Sequence, residues 1–409
     1  MTIETTFASN QTPASEAASP SCFETAIDSL IRRWMRCGSL SVLWPNSRDA
    51  KYESGVPGPS AAIRIHRPRA FSRLALAGPI GFADAYVDGD WDSNDLAAVA
   101  EFAARNLNSS RSGALALPLL GAVRRLRHDA RTNTRAGSRR NIAAHYDLGN
   151  AFYEAWLDPT MSYSSALFLG TTDLAEAQRV KYRRLLDLIA PRPGDHILEI
   201  GCGWGGFAEI AARERDLRVT AITVSPAQHA YASRRMAELG LSDRVAIRLC
   251  DYRDVGGRFD AIASIEMIEA VGERYWSRYF RTIHGRLRPG GRAALQAITI
   301  ADNRFARYRR NPDFIQSRIF PGGMLPTRTV LADRAGRAGL ETVRDDGFGL
   351  HYAETLARWS ARFDAAWPDI RGMGFDARFR RLWHFYLAYC EGGFRSGAVD
   401  LRQILLTRT

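Results

Sequence analysis

Near the middle of the chain, Leu198-Glu199-Ile200-Gly201-Cys202-Gly203-Trp204-Gly205-Gly206 sets a carboxylate two positions ahead of four glycines in six. Glycines let a backbone turn tightly and come close to a ligand, and a helix that opens after such a turn offers unpaired N–H groups. A ligand seated there would be read by backbone donors and by the single negative charge of Glu199. Polar side chains recur where later strand-like runs end: Thr223, with Gln228 just beyond it, then Asp251 and Tyr252. In open α/β sheets ligands bind at the carboxyl ends of the strands, so these residues are candidates for one site.

The elements that must carry them alternate. Strands read at 196–200, 218–224, 245–249, 259–265 and 292–300, with helical stretches between. Repeated β–α units imply an α/β fold, a Rossmann-like parallel sheet with helices on both faces. Upstream, Ser21-x-x-Glu24 is a capping box, with Phe23, Ile27, Leu30, Ile31 and Trp34 on one helical face. Strand-like runs at 39–44 and 60–66 and helical patterns at 82–86 and 96–106 complete a smaller N-terminal α+β domain over residues 21–110. Residues 1–20 read as a disordered leader, 111–140 as a connector, and 141–409 as the catalytic domain. Beyond 301 the chain is rich in aromatics and arginine. Its helical patterns there run over 352–366 and 375–390, and the aromatic stripe Trp359, Phe363, Trp367, Phe379, Trp383, Tyr386 and Tyr389 reads mainly as core.

The glycine turn has two ligand readings. As GxGxxG it would be a dinucleotide fingerprint, which calls for an acid about 20 residues on to hold a ribose hydroxyl; the second strand instead ends Ile222-Thr223-Val224-Ser225. As [DE]-x-G-x-G-x-G it fits S-adenosylmethionine, with Glu199 facing a sulfonium and an ammonium. The second reading is preferred, with Gln228 beside the adenosine in place of the missing acid and Asp251 at its adenine or ribose edge.

Around this turn the chain resembles the cyclopropane-fatty-acyl-phospholipid synthase family. The resemblance rests on His145-Tyr146-Asp147-Leu148-Gly149-Asn150, Asp158-Pro159, Met161-Ser162-Tyr163-Ser164, the glycine turn, Asp251-Tyr252-Arg253-Asp254, Glu266-Met267-Ile268-Glu269-Ala270-Val271-Gly272, Ile319-Phe320-Pro321-Gly322-Gly323 and Phe348-Gly349 with Tyr352, all in the family's order. Residues 81–91 resemble its N-terminal lipid-binding domain. The resemblance implies methyl transfer from S-adenosylmethionine to the cis double bond of a phospholipid acyl chain. The resulting cation closes to a cyclopropane when a bound bicarbonate removes a proton.

By the same resemblance, Tyr163 and Ser164 contact the methionine part of the cofactor, while Glu269, Tyr352 and the backbone at Ile298 hold the bicarbonate. Two positions depart from the family: Ser165 stands where cysteine is frequent, and Gln296 where histidine is frequent. Both can hydrogen-bond an anion, but Gln296 cannot titrate. A methyl-branched or methylene product is the alternative if the bicarbonate is lost. A small-molecule methyltransferase and a non-catalytic lipid-binding relative are the competing functions.

Composition narrows the partners. Lys+Arg is 56 and Asp+Glu 44, a net charge of +12, and only Lys51 and Lys181 are lysines. Seven arginines against Asp129 place half of that charge in residues 124–140, directly after the apolar run 114–123. No aromatic residue is interleaved there, which disfavours nucleic acid; an anionic membrane surface fits better. The apolar run is ten residues long and contains Pro118, too short to span a bilayer. Five scattered cysteines and a start without a secretory pattern suggest a cytoplasmic protein, peripheral at the inner membrane face. No metal is expected: Asp88, Asp90 and Asp92 imitate a calcium loop, but Ser93 and Val99 stand where it needs glycine and glutamate. A homodimer is left open.

Overall fold

The computed structural model describes residues 19–107 and 148–409. Residues 1–18 of the leader, the connector with its arginines, and His145, Tyr146 and Asp147 lie outside the described residues.

In the N-terminal domain the capping box forms as the spacing dictates, Ser21 Oγ accepting from the Glu24 N–H at 3.2 Å and the Glu24 carboxylate from the Ser21 N–H at 3.3 Å. It opens the helix Cys22–Trp34. Strands β1 (Ser39–Leu43), β2 (Asp49–Glu53), β3 (Ser60–Ile65) and β4 (Trp91–Asp92) order as β2-β1-β3-β4, with β1 and β3 parallel. Every second residue of β3 is buried, so the sheet has one wet face and one packed on Trp44, Tyr52 and Trp91. The helix Arg69–Val87 breaks at Gly78, whose φ is +63°, just before Pro79.

The C-terminal part of the chain carries the seven-stranded sheet β10-β11-β9-β8-β5-β6-β7. Its strands are β5 (His196–Ile200), β6 (Arg218–Thr223), β7 (Val245–Leu249), β8 (Phe259–Ile265), β9 (Leu287–Ile300), β10 (Leu340–Gly347) and β11 (Val399–Arg408). The first five are parallel, and β11 runs antiparallel between β9 and β10. Successive residues of a strand feed opposite layers: Ile197 packs with the helices Leu174–Ile189 and Gly206–Arg215, and Leu198 with the helix Trp276–Arg286.

β10 and β11 are additions to the sequence reading. β10 reads LETVRDDG and is largely exposed, so its charges hide the alternation that marks a strand. β9 begins five residues earlier than its apolar run, at Leu287.

The two domains share an interface. The helix Leu96–Leu107 lies against the helix Ala377–Arg395, and a Cβ at Gly392 would fall 2.5 Å from the Glu101 nitrogen, so only glycine permits that approach. Arg318 pairs with Asp84, and the Arg381 guanidinium donates to the carbonyls of Tyr86 and Trp91. Asp90, fully buried, is held by Arg67, Arg69 and Arg73.

Candidate active site

Glu199 is the penultimate residue of β5, and the chain leaves the strand through Gly201, Gly203 and Gly205, all at positive φ (85°, 52° and 90°), a region that other residues enter at a cost. Gly206 then opens its helix so close to the Tyr182 hydroxyl (2.9 Å from a built Cβ) that no side chain fits. Glu199 is 2% exposed, and its Oε2 is buried without a hydrogen-bond partner. Burial raises its pKa to about 8, and the Lys181 ammonium pulls the other way.

A cavity of about 1730 Å³ begins at this turn. Tyr163, Ser164, Glu199, Gly201, Gly203, Thr223, Gln228, Tyr252, Glu269, Ile298 and Tyr352 line it; Ser165, Gly205, Asp251 and Gln296 stand outside the lining. Thr223 donates its hydroxyl hydrogen to Gln228 Oε1 at 2.8 Å, which locks the pair at the end of β6. The Asp251 carboxylate is engaged by the Arg253 guanidinium at 2.6 and 2.8 Å. The Tyr252 hydroxyl is buried without a partner, and burial raises its pKa to about 12. Tyr163 shares a 2.8 Å hydrogen bond with Tyr386, and its ring packs among Tyr153, Trp156 and Trp359. An unpartnered buried carboxylate oxygen, an unpartnered buried hydroxyl and the open space beside Gly203 fit a ligand with positive charge and a polar edge. S-adenosylmethionine has both.

Past the glycine turn, two carboxyl groups stand at the tip of β8. Glu269 Oε1 accepts the Ile298 N–H, and its Oε2 is buried without a partner. Burial, and then the neighbouring Glu266, raise its pKa to about 8. Glu266 escaped the sequence reading. It holds a left-handed φ of +49°, and three donors converge on it: the Ser165 N–H and Gln296 Nε2 on Oε1, both at 2.9 Å, and the Tyr352 hydroxyl on Oε2 at 2.7 Å. The signal was its place at a strand tip, three residues before Glu269.

Lys181 was missed as well, although one of two lysines among so many arginines is a visible oddity. It is fully buried, donates to Ser164 Oγ at 2.7 Å and Gln178 Oε1 at 2.6 Å, and burial lowers its pKa to about 7 against the pull of Glu266, Asp158 and Glu199. Of the aromatic stripe, Tyr386 and Tyr389 reach the cavity while Trp359, Phe363 and Trp383 are core. Asn150, the last residue of the HYDLGN stretch, accepts from Trp204 Nε1 at 2.9 Å and so braces the glycine turn.

The far end of the cavity lies in the N-terminal domain, between the helices Cys22–Trp34, Arg69–Val87 and Leu96–Leu107, where Leu30, Leu74, Phe82, Val99 and Ala103 face it. The site is thus a polar, carboxylate-bearing pocket opening into an apolar passage.

Comparison with known proteins agrees with this geometry. Residues 133–404 match the family described as mycolic acid cyclopropane synthetase. The chain is 42% identical over 368 residues to the tuberculostearic acid methyltransferase UfaA1 of Mycobacterium tuberculosis, covering 87% of this chain and 85% of that one. It is 33% identical over 352 residues to the cyclopropane-fatty-acyl-phospholipid synthase of Escherichia coli, covering 85% and 88% respectively. Among solved structures, mycolic acid cyclopropane synthase CmaA1 complexed with SAH and CTAB superimposes with a TM-score of 0.62 at 29% identity, over 66% of this chain and 98% of that one. The chain therefore belongs to the mycolic acid cyclopropane synthetase family, and it is an S-adenosylmethionine-dependent methyltransferase.

Proposed function

We propose that this methyltransferase acts on the cis double bond of an unsaturated phospholipid acyl chain. The observation that carries the reading is the cavity: at about 1730 Å³ it exceeds the roughly 300–1,000 Å³ of an ordinary small-ligand pocket, and its apolar passage leads from the N-terminal helices to the glycine turn. A soluble small molecule or a nucleobase would leave that passage without a purpose.

S-adenosylmethionine, held at the glycine turn by Glu199, Thr223 and Gln228, would supply an electrophilic methyl to the alkene π pair, the carbon–sulfur pair leaving on sulfur and the acyl chain becoming a carbocation. The residues of this protein orient and insulate that event. Glu199 balances positive charge beside the glycine turn, while Thr223 and Gln228 fix the polar edge. Tyr163, Leu356, Phe320 and Tyr386 wall the junction, keeping water from the cation and holding the double bond in line, which matters because an alkene is a weak nucleophile. Glu269, held by the Ile298 N–H, and Glu266, held by Tyr352, face the same junction. Proton loss from the transferred methyl with closure of the third carbon–carbon bond gives a cyclopropane. A second reading, a methyl-bearing open chain, is favoured by the 42% identity to a tuberculostearic acid methyltransferase.

The arginine-rich segment 124–140 supports docking on an anionic cytoplasmic surface; among the described residues no helix is long and apolar enough to cross a membrane. Incubation with methyl-labelled S-adenosylmethionine and vesicles of unsaturated anionic phospholipid tests the function: label goes to the lipid extract, and label left in the aqueous phase refutes it. High-field ring protons in the NMR spectrum of the product identify the cyclopropane, and a methyl signal without them the open chain.

A further inference from the structure

The groups that family resemblance assigns to a bound bicarbonate do not fit a separate anion here. Tyr352, Ser165 and Gln296 already converge on one planar carboxylate, that of Glu266. Ser165 and Gln296 are 0% and 1% exposed and stand behind Glu266, outside the cavity lining, so Glu266 lies between them and any ligand. Gln296 is further fixed by Gln403 Nε2, which donates to its Oε1 at 2.8 Å. A carboxylate and a bicarbonate present the same pair of oxygens to hydrogen-bond donors. We propose that Glu266 replaces bicarbonate in this protein and is itself the base that removes the proton from the methylated chain.

Three features support the assignment. Glu266 lines the cavity at the junction with the glycine turn. A carboxylate has about four acceptor positions; the three donors use two on Oε1 and one on Oε2, leaving one on Oε2. Burial raises the pKa of both neighbouring carboxyls; at Glu266 the three donors and Lys181 pull it back down, while at Glu269 the Glu266 charge adds to burial and only backbone N–H groups oppose it, so Glu266 carries the charge of the pair and Glu269 the proton. A left-handed φ at a glutamate has a conformational cost, which the three hydrogen bonds hold in place. In the step itself a carbon–hydrogen bond of the cationic chain breaks, the proton goes to Glu266 Oε2, and the released pair closes the ring or forms a double bond.

The inference rests on the alkene-methylation reading, and its test separates the two. Full-length protein is assayed with labelled S-adenosylmethionine and unsaturated anionic vesicles, in buffer freed of carbon dioxide and then with bicarbonate restored. Wild-type turnover should not change between the two. Glu266→Ala should lose at least about 100-fold in turnover, the usual worth of a general base, with cofactor affinity unchanged by calorimetry. Added bicarbonate or formate should restore part of that activity saturably by refilling the cradle. Glu266→Gln, which keeps size and one acceptor, should be equally slow but not rescued, and it serves if the alanine variant fails to fold. Carbon-13 bicarbonate NMR gives a readout independent of turnover: saturable line broadening with Glu266→Ala and none with wild type. Bicarbonate stimulation of the wild type, broadening by the wild type, or full turnover of Glu266→Gln would each overturn the proposal. If wild type labels no lipid, the functional reading fails, while the NMR experiment still decides whether Glu266 fills the anion cradle.

Discussion

Cofactor binding should release a proton, and Glu199 should be its source. In the ligand-free protein its carboxyl titrates at about 8, because it is buried with an unpartnered oxygen. A bound sulfonium favours the ionised form, so the folded, liganded pKa lies below the ligand-free one, and affinity climbs with pH up to about 8. At pH 7 the group is ionised in about one molecule in ten, and holding it ionised costs about 1.4 kcal/mol; at pH 6 the cost is about 2.7 kcal/mol. Affinity for S-adenosylmethionine should therefore rise nearly tenfold, by about one power of ten, from pH 6 to pH 7. Deprotonation of Lys181, whose own value is lowered to about 7, removes a charge that favours ionised Glu199 and so blunts the climb. Calorimetry at pH 6.5 in two buffers of unlike ionisation enthalpy would show release of somewhat less than one proton. The ligand's own ammonium titrates near 8 and does so equally with a Glu199→Gln variant, which should keep that contribution, lose the rise between pH 6 and pH 7, and bind about 30-fold more weakly at pH 8, corresponding to the roughly 2 kcal/mol of a lost charge-assisted interaction. Equal pH dependence in wild type and variant would refute the assignment of Glu199 as the cofactor's counter-charge.

Four further outcomes are expected. Glu269→Gln should raise thermal stability while lowering turnover: a carboxyl whose folded pKa is raised above its unfolded value stabilises below about pH 4.5 and loses that contribution as pH rises toward 8, so the variant's gain of about 1–3 kcal/mol should be largest near pH 8 in a pH series of melting curves. Tyr352→Phe removes the one donor on Glu266 Oε2, so turnover should fall about tenfold and the acid limb of the pH–rate profile should move to higher pH, with cofactor affinity unchanged. Ala103→Trp fills the passage between the N-terminal helices and should raise the KM for vesicle lipid without altering cofactor binding; unchanged KM would remove the acyl chain from that passage. Replacing the seven arginines of 124–140 by glutamine should weaken binding to anionic vesicles and flatten its salt dependence, read by vesicle flotation.

Local features were legible in the sequence because local forces set them. The capping box of Ser21 and Glu24, the glycine turn after β5 and the bounds of β5, β7 and β8 follow from patterns a few residues long. Glu199, Thr223 and Gln228 could be placed together from strand-tip positions alone, since a parallel sheet brings its carboxyl ends to one edge. β10 and β11 were not legible, because an exposed edge strand carries charges where alternation would show, and because antiparallel insertion of a C-terminal strand between β9 and β10 is a pairing of distant segments.

The chemistry divides along the same line. By itself the sequence determined that a carboxylate precedes a glycine turn fit for a sulfonium cofactor, and that Ser165 and Gln296 depart from the pattern of the family it resembles. Only the tertiary structure decided what those departures accompany. It brought Ser165, Gln296 and Tyr352, up to 187 positions apart (352 − 165), around the carboxylate of Glu266, and it buried Lys181 among three acids. The reason is physical: a donor's partner and a carboxyl's solvation are properties of three-dimensional neighbours, whereas sequence spacing fixes only the elements that carry them.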